Sequence, residues 1–306
     1  MSHHHHHERH AGHRHDGTGT GTEEGTTHMD WDELAPMLEH GAELQRPLYA
    51  QAVAWIGEQL PAASVRRVLD IGSGPGVITC LLAEAFPNAE VVAVDSTPAL
   101  LDRALARAEG MGLGDRVRTH VAEIPEGTDA LGEADLVWAA NSLHHVGDQR
   151  GALTGFARLL RPGGLLALTE GGLQPRHLPR DIGIGRPGLE SRIDAVSAEW
   201  FEEMRAGLPD TKAEVEDWRA LLSAAGLAPT ATRSFLLDIP APVTVAVREH
   251  LVSMFGFQRK ALDGRLSDED AAVLDRLLDP EDAEGLMRRP DCYLLAARTV
   301  HAARRG

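Results

Sequence analysis

Residues 66–76 read Arg-Arg-Val-Leu-Asp-Ile-Gly-Ser-Gly-Pro-Gly. The apolar run around Asp70 predicts a buried strand. The glycines at positions 72, 74 and 76 allow the chain to turn tightly into a helix while its backbone approaches a ligand closely. In open parallel sheets, ligands bind outside the carboxyl ends of the strands, so this turn is the first candidate for a binding site.

Outward from this turn, short apolar runs alternate with amphipathic segments. The predicted strands are 66–71, 90–94, 117–124, 134–140 and 165–170, and the predicted helices between them are 77–86, 98–109 and 149–160. Strand-helix alternation at this spacing predicts right-handed βαβ units on a parallel sheet, and therefore an α/β fold. The flanking regions predict two helical stretches between Trp31 and Leu60, helices near 189–205, 214–225 and 243–278, and strands at 231–239 and 293–300.

The composition divides the chain into unequal parts. Residues 1–29 are rich in histidine, glycine and threonine, and we expect them to be disordered. They are either a purification tag or a native tail, and a metal-chelating role is a third reading. We expect an N-terminal helical cap at 30–64, a core at 65–172, a lid insertion at 173–212, and the rest of the sheet at 213–306, interrupted by a helical insertion at 241–290.

Charge and hydropathy exclude several classes of function. The formal net charge of −16 would repel nucleic acid, so we expect a small or neutral-to-cationic acceptor. There is neither an apolar run of eighteen residues nor a secretory leader, which predicts a cytoplasmic protein that does not enter membranes. Cys80 and Cys292 lie outside any metal-ligand spacing and are expected to be buried as small apolar residues, so we predict no metal site.

A nicotinamide dinucleotide site is the rival interpretation of the glycine turn. Its G-x-G-x-x-G fingerprint needs glycine or alanine at the sixth position, where this chain has Val77. Pro75 stiffens the turn instead. This departure disfavours a dehydrogenase.

Three further motifs follow the glycine turn in order. Asp95 ends the second strand, residues 140–148 read Ala-Asn-Ser-Leu-His-His-Val-Gly-Asp after the fourth, and residues 159–164 read Leu-Leu-Arg-Pro-Gly-Gly before the fifth. Together the motifs, which cover residues 66–172, resemble those of class I S-adenosylmethionine-dependent methyltransferases that act on small molecules. The resemblance implies a Rossmann-like sheet of seven mostly parallel strands, with the last strand antiparallel between the fifth and sixth, helices on both faces and helical lid insertions.

The resemblance also implies which residues contact S-adenosylmethionine. Asp95 would accept from both ribose hydroxyls, and Asp70 would accept from the methionyl ammonium or stay bonded to the loop. Val121 stands where related enzymes carry an acid against adenine, which leaves that contact to Glu123 or to the backbone. The full candidate set is Arg46, Asp70, Gly72, Ser73, Gly74, Gly76, Asp95, Ser96, Ala122, Glu123, Asn141 and Ser142. For Arg46, pairing with the cofactor carboxylate and a solvated helix position are both open.

The acceptor side offers fewer signals. His144, His145, Glu170 and His177 are candidate catalytic residues, and Asp181 is a further candidate. Each histidine after strand four is either a base or a ring that bonds the backbone. Trp200, Phe201 and Met204 have helical spacing that favours a core position over an acceptor box. Met254, Phe255 and Phe257 line either a hydrophobic acceptor site or a homodimer contact.

These observations predict methyl transfer from S-adenosylmethionine to an oxygen or nitrogen of a small molecule, and a role in secondary metabolism. The alternative is a non-catalytic scaffold that keeps the fold and binds the cofactor.

Overall fold

One seven-stranded sheet organises the protein. The computed structural model describes residues 31–306, so the predicted disordered tail at 1–29 lies outside the described residues. The strands are β1 (Arg67–Ile71), β2 (Glu90–Asp95), β3 (Val117–Val121), β4 (Ala134–Ala140), β5 (Leu160–Arg176), β6 (Leu227–Ile239) and β7 (Leu294–Arg305). Their order in the sheet is β3-β2-β1-β4-β5-β7-β6.

The strand directions confirm the predicted fold class. Strands β1 to β5 pair in parallel, whereas β7 runs antiparallel to both of its neighbours, β5 and β6. The carboxyl ends of β1, β2, β4 and β5 therefore lie along one edge of the sheet. This edge carries the candidate functional residues.

Helices cover both faces of the sheet. They are α1 (Trp31–Gln59), α2 (Val77–Ala85), α3 (Pro98–Gly110), α4 (Gln149–Leu159), α5 (Leu189–Ala206), α6 (Trp218–Ala224), α7 (Val245–Ala261) and α8 (Asp268–Leu278). Apolar side chains of α1, α2, α7 and α8 belong to the core on one face, and those of α4 and α6 to the core on the other. Cys80 and Cys292 are buried and free, as predicted. Among the described residues, none of the helices is both long and apolar enough to cross a membrane.

The N-terminal cap differs from the prediction. Instead of two helical stretches, α1 is one helix of 29 residues with Pro36 and Pro47 inside it. Each proline removes one backbone donor from the helix. Leu48, Ala52 and Ile56 are nevertheless fully buried, and this burial stabilises the continuous helix against the sheet.

The ends of several other helices and strands also differ from the prediction. Strand β3 ends at Val121 rather than at residue 124, because its partner strand β2 ends at Asp95, the residue that pairs with Val121. The helical stretch predicted at 243–278 is two helices, α7 and α8, and the helix predicted at 214–225 is confined to Trp218–Ala224. Strands β6 and β7 are both longer than predicted, since each supplies the other with an antiparallel partner along almost its whole length.

The largest difference is in β5, which continues to Arg176 and takes in the first residues of the predicted lid insertion. Beyond the parallel part of the sheet, Gly172 pairs with Arg298, Leu173 with Ala297 and Arg176 with Leu295. The backbone hydrogen bonds of this extension come from β7, more than a hundred residues away. Local sequence contains no sign of such a partner.

We expect α1 to be an integral part of the core and not a separable cap. Replacing Ile56, which is fully buried, with alanine should lower the free energy of unfolding by about 2–5 kcal/mol. The control is Glu58→Ala on the exposed side of the same helix, which should change it by less than about 0.5 kcal/mol. Denaturant unfolding measures both. Equal effects of the two changes would show that the helix does not contribute to the cooperative fold.

Candidate active site

The turn between β1 and α2 forms the centre of the site. Gly72, Gly74 and Gly76 have φ angles of 70°, 53° and 78°, in the left-handed region that favours glycine. A Cβ on Gly72 would lie 2.5 Å from Cβ of Ser142, and a Cβ on Gly76 would lie 2.6 Å from the Cα of Ala104 in α3. At Gly74, by contrast, a Cβ would meet nothing within 4 Å. The middle of the turn therefore faces open space while its two ends are closely packed.

Asp70 lies at the buried end of β1. Its carboxylate accepts a hydrogen bond of 2.6 Å from the hydroxyl of Thr79 in the first turn of α2. Burial raises the pKa of Asp70 to about 7, and the nearby charge of Asp95 acts in the same direction, whereas the bond from Thr79 opposes it. A cationic group placed beside Asp70 would favour its charged form.

Asp95, at the end of β2, braces the glycine turn. One carboxylate oxygen accepts from the Gly74 N–H and the other from the Thr97 N–H, each at 2.9 Å. Asp95 thus takes part in the start of the following helix. Each oxygen keeps a second lone pair, so the carboxylate can still accept from a ligand hydroxyl.

The residues present fit an adenosyl ligand. The hydroxyl oxygen of Ser73 is buried and has no hydrogen-bond partner within the described chain. In the sequence, Ser73 directly precedes the open position at Gly74 and follows Asp70 by three residues. A polar ligand held over the turn would supply the missing partner.

The end of β3 provides the third side of this part of the site. Ala122 is buried, and its N–H donates to the Asp95 carbonyl at 3.0 Å. Glu123 and Ser96 are exposed, and Val121 exposes 57% of its surface. Ala122 and the exposed valine therefore present a small apolar surface next to Asp95. Glu123, which directly follows Ala122, is the acidic residue nearest to it in the sequence.

The end of β4 contacts the N-terminal helix. Asn141 has a positive φ of 49°, and its side-chain amide donates to the hydroxyl of Tyr49 at 2.7 Å. Tyr49 is only 3% exposed. Burial raises its pKa, while the charge of Arg298 and the bond from Asn141 act in the opposite direction. The hydroxyl of Ser142 bonds back to the Ile71 carbonyl at 3.4 Å, which ties this loop to β1.

His144 and Glu170 form a hydrogen-bonded pair at the ends of β4 and β5. Nδ1 of His144 lies 3.0 Å from Oε2 of Glu170, while Oε1 of Glu170 accepts from the Leu143 N–H at 2.8 Å. Glu170 is 3% exposed, and the side chain of His144 is 24% exposed. A carboxylate can only accept, so Nδ1 carries the proton of the neutral ring and Nε2 is left as an acceptor.

Three neighbours hold His144 in place. The ring of His145 packs against it at an angle of 50° with centroids 4.2 Å apart, and the ring of Phe201 in α5 lies 5.6 Å away. Arg205 of α5 donates to the carbonyl of His144. Burial lowers the pKa of His145 to about 4, helped by the charges of His144 and Arg205, so that this ring is neutral at pH 7. His144 thus has a carboxylate partner, Glu170.

A second histidine–glutamate pair lies further along the chain. His177 is 3% exposed, and its Nδ1 is 2.9 Å from Oε1 of Glu190 at the start of α5. Its ring packs edge-on against Phe255 of α7. The pair lines a small pocket of about 40 Å³ that is open to solvent and lies between α5 and α7. No contact links His177 to the His144–Glu170 pair.

Two other candidates lie apart from the glycine turn. Arg46 forms an ion pair with Glu84 of α2 at 3.0 Å, and its side chain is 39% exposed. Asp181 is exposed and accepts from the Gly183 N–H. Trp200 packs against the core, as its spacing predicted, whereas its neighbour Phe201 faces His144.

Sequence reasoning missed Tyr49, Thr79 and Arg298. Thr79 follows the glycine turn by three residues, so a polar residue in the first turn of this helix was an available signal. Tyr49 falls on the buried face of a helix and carries no motif. Its partner Asn141 is 92 residues away, and only the fold brings the two together.

The raised pKa of Asp70 predicts a pH dependence of stability. A folded pKa near 7, against 3.8 for the unfolded chain, means that the folded state binds more protons between these values. The free energy of unfolding should therefore fall as pH rises from about 4 to about 7, by up to about 4 kcal/mol. Denaturant unfolding of the native chain and of Asp70→Asn at pH 5 and pH 8 isolates this contribution. If the native chain and the variant changed in stability by the same amount between pH 5 and pH 8, the buried carboxyl would be charged throughout this range.

Comparisons with known proteins agree with this site. A family model described as a methyltransferase domain matches residues 68–164, which include β1, the glycine turn, Asp95 and the His144 loop. The 27-O-demethylrifamycin SV methyltransferase of Amycolatopsis mediterranei is 30% identical over 206 residues, which cover 67% of each chain. A trans-aconitate 2-methyltransferase of Methylobacterium nodulans is 29% identical over 197 residues, 62% of this chain and 71% of the relative.

In other relatives the match covers a smaller share of the relative's length. It spans 28% of the length of an uncharacterized protein of Synechococcus and between 48% and 63% of three further trans-aconitate 2-methyltransferases. Among solved structures, the YcgJ protein of Bacillus subtilis has a TM-score of 0.49 and 19% identity, over 84% of this chain and 99% of that chain.

Three observations lead to one assignment. They are the order of the strands, the glycine turn braced by Asp95, and the similarity to the 27-O-demethylrifamycin SV methyltransferase. This chain belongs to the family of class I S-adenosylmethionine-dependent methyltransferases.

Proposed function

We propose that this protein transfers a methyl group from S-adenosylmethionine to an oxygen or nitrogen nucleophile of a small molecule. The observation that carries the proposal is the His144–Glu170 pair, which lies at the ends of β4 and β5 on the edge that also carries the glycine turn. A base held in one tautomer beside a cofactor-binding turn is what methylation of a protonated acceptor requires.

The chain's own groups would hold the cofactor over the turn. Asp95 is placed to accept from the ribose, Ser73 to bond a polar group, and Asp70 to balance the positive charge of the methionyl ammonium. Ala122 presents the apolar surface for adenine. When bound, S-adenosylmethionine supplies a methyl group already activated by a sulfonium, so that the protein contributes mainly orientation and proton removal.

His144 is the proposed general base. Glu170 accepts the Nδ1 proton and fixes the ring, which leaves Nε2 to take the proton that the acceptor loses. Because Glu170 also accepts from the Leu143 N–H, the loop after β4 cannot move without breaking this second bond. The adjacent ring of His145, with its pKa of about 4, adds no positive charge beside His144 at neutral pH.

The acceptor class draws support from the relatives. The names of the relatives describe methylation of 27-O-demethylrifamycin SV and of trans-aconitate, both of which are small molecules. We propose a small acceptor here too, and the rifamycin relative supports a place in secondary metabolism. A cytoplasmic location is consistent with this role.

We propose that a lid covers the cofactor and the acceptor. It consists of residues 173–212 and 241–290 together with α1. Helix α5 reaches the site through Phe201 and Arg205, and α7 contacts α1 where His40 and His250 approach with ring centroids 5.8 Å apart. A cover of this kind would exclude water from the sulfonium and shape the acceptor pocket.

The glycine turn gives a direct test of cofactor binding. Gly74→Ala should weaken the binding of S-adenosylhomocysteine at least tenfold, because the new methyl group would occupy the open space above the turn. The matched control is Gly112→Ala, which has a similar φ of 72° and equally open surroundings at the end of α3. The Gly112→Ala variant should have the same backbone strain and an unchanged affinity for S-adenosylhomocysteine. Calorimetry of both variants measures the difference, and equal affinities would place the cofactor elsewhere.

The proposed base gives a test of catalysis. With labelled S-adenosylmethionine and an acceptor panel that includes trans-aconitate and 27-O-demethylrifamycin SV, we expect turnover of at least one acceptor. His144→Gln should then lower kcat about 10²–10⁴-fold, because proton removal is lost. The affinity for S-adenosylhomocysteine should stay within threefold.

The matched control is His120→Gln on the edge strand β3, which should keep kcat within twofold. If His144→Gln retained full turnover, His144 would not be the base, although methyl transfer would stand. If no acceptor were turned over while the cofactor bound tightly, the scaffold alternative would replace the proposal.

A further inference from the structure

Arg298 of β7 is a cation that has no ion-pair partner among the described residues. Within the described residues, no carboxylate oxygen lies within 4.0 Å of its guanidinium. Its Nε donates to Oε1 of Gln45 in α1 at 3.3 Å, and it is near enough to Tyr49 for its charge to lower the pKa of that hydroxyl. Both partners are neutral. They satisfy hydrogen bonds of the guanidinium without balancing its charge.

The register of the sheet places Arg298 near Glu170, the partner of the proposed base. It pairs in register with Gly172 of β5, two residues beyond Glu170. A Cβ on Gly172 would come within 2.2 Å of the Ala297 carbonyl, so the two strands approach closely there. Through Tyr49, Arg298 also lies near Asn141 at the end of β4. It therefore belongs to the same edge of the sheet as His144.

The same topology separates Arg298 from the glycine turn. In the order β1-β4-β5-β7, three strand spacings lie between β1 and β7, about 14 Å. The His144–Glu170 pair, on β4 and β5, lies between the two. The cofactor side of the site is at β1, so Arg298 is on the acceptor side.

A half-buried guanidinium without an anion is costly, since desolvation is not offset by an opposite charge. Its planar fork of donors matches a carboxylate in two parallel hydrogen bonds. Building on the proposed function, we propose that Arg298, oriented by Gln45 and Tyr49, binds a carboxylate group of the acceptor, and that the acceptor is therefore an organic acid. This local cation overrides the repulsion that the net charge of −16 exerts on anions.

The test uses the full chain saturated with S-adenosylhomocysteine, in low salt, with two probes of the same shape. Tricarballylate carries three carboxylates, and its triamide is neutral. Calorimetry should show that the native protein binds the acid at least tenfold more tightly than the amide. Arg298→Gln should lose at least tenfold in affinity for the acid, with little change for the amide, and Arg298→Lys should recover part of the loss.

Arg233→Gln is the matched control, because it removes an exposed cation of β6, above Phe235, from the same part of the sheet. It should leave the affinity for the acid within twofold. Thermal unfolding of each variant checks that the loss is not one of folding. If the native protein failed to prefer the acid over the amide, or if Arg233→Gln weakened the acid as much as Arg298→Gln did, the proposal would be wrong.

A third ligand separates the acceptor carboxylate from the methionyl carboxylate of the cofactor. Methylthioadenosine lacks the amino-acid part of S-adenosylhomocysteine. If Arg298→Gln weakened S-adenosylhomocysteine tenfold and left methylthioadenosine unchanged, Arg298 would hold the cofactor and the proposal would be overturned. If the native protein bound neither adenosyl compound, the proposed function would fail first, independently of Arg298.

Discussion

The close contact between α2 and α3 at Gly76 is the constraint on which the site depends. A side chain at residue 76 would overlap the backbone of Ala104, so α2 can start there only with a glycine in a left-handed conformation. This start fixes Thr79 over Asp70 and leaves the Gly74 N–H facing Asp95. The carboxylates of β1 and β2 are thus positioned by one backbone turn. A ligand over the turn meets groups that the fold has already oriented.

The structure contains two histidine–glutamate pairs that look alike but are placed differently. In both, a glutamate whose side chain is at most 12% exposed accepts from the Nδ1 side of the ring and from at least one backbone N–H. His144 lies on the edge of the sheet shared with the glycine turn and is partly exposed, which proton exchange with an acceptor requires. His177 is almost completely buried, and its Nε2 has no partner among the described residues. Glu190 bonds three groups of the segment around His177, and this favours a structural role in closing that segment.

Much of the fold could be predicted from the sequence, because its signals are local. The strand that ends at Asp70, the glycine turn and the strand-helix alternation all lie within short windows, where burial and turn chemistry determine the pattern. The antiparallel position of β7 came from the resemblance and not from its own sequence. The extension of β5 to Arg176 could not be predicted, since its partner strand is far away in the chain. Arg46 shows the same limit: the pairing with Glu84 depends on how α1 crosses α2. Its proposed contact with the cofactor stays a prediction.

The site residues likewise divide into those that the sequence predicts and those that it does not. Asp95 and the glycines are predictable because their chemistry depends on the backbone turn in which they sit. Tyr49 and Arg298 are not, because each acts through contacts between α1, β4 and β7 that no motif records. The overall charge pointed to a neutral or cationic acceptor, yet electrostatic attraction at a site depends on the nearest charges and on how far they are desolvated. One half-buried guanidinium near the base therefore outweighs a larger but distant and screened negative charge. For this reason, the acceptor is better inferred from the local charges of the sheet edge than from the composition of the chain.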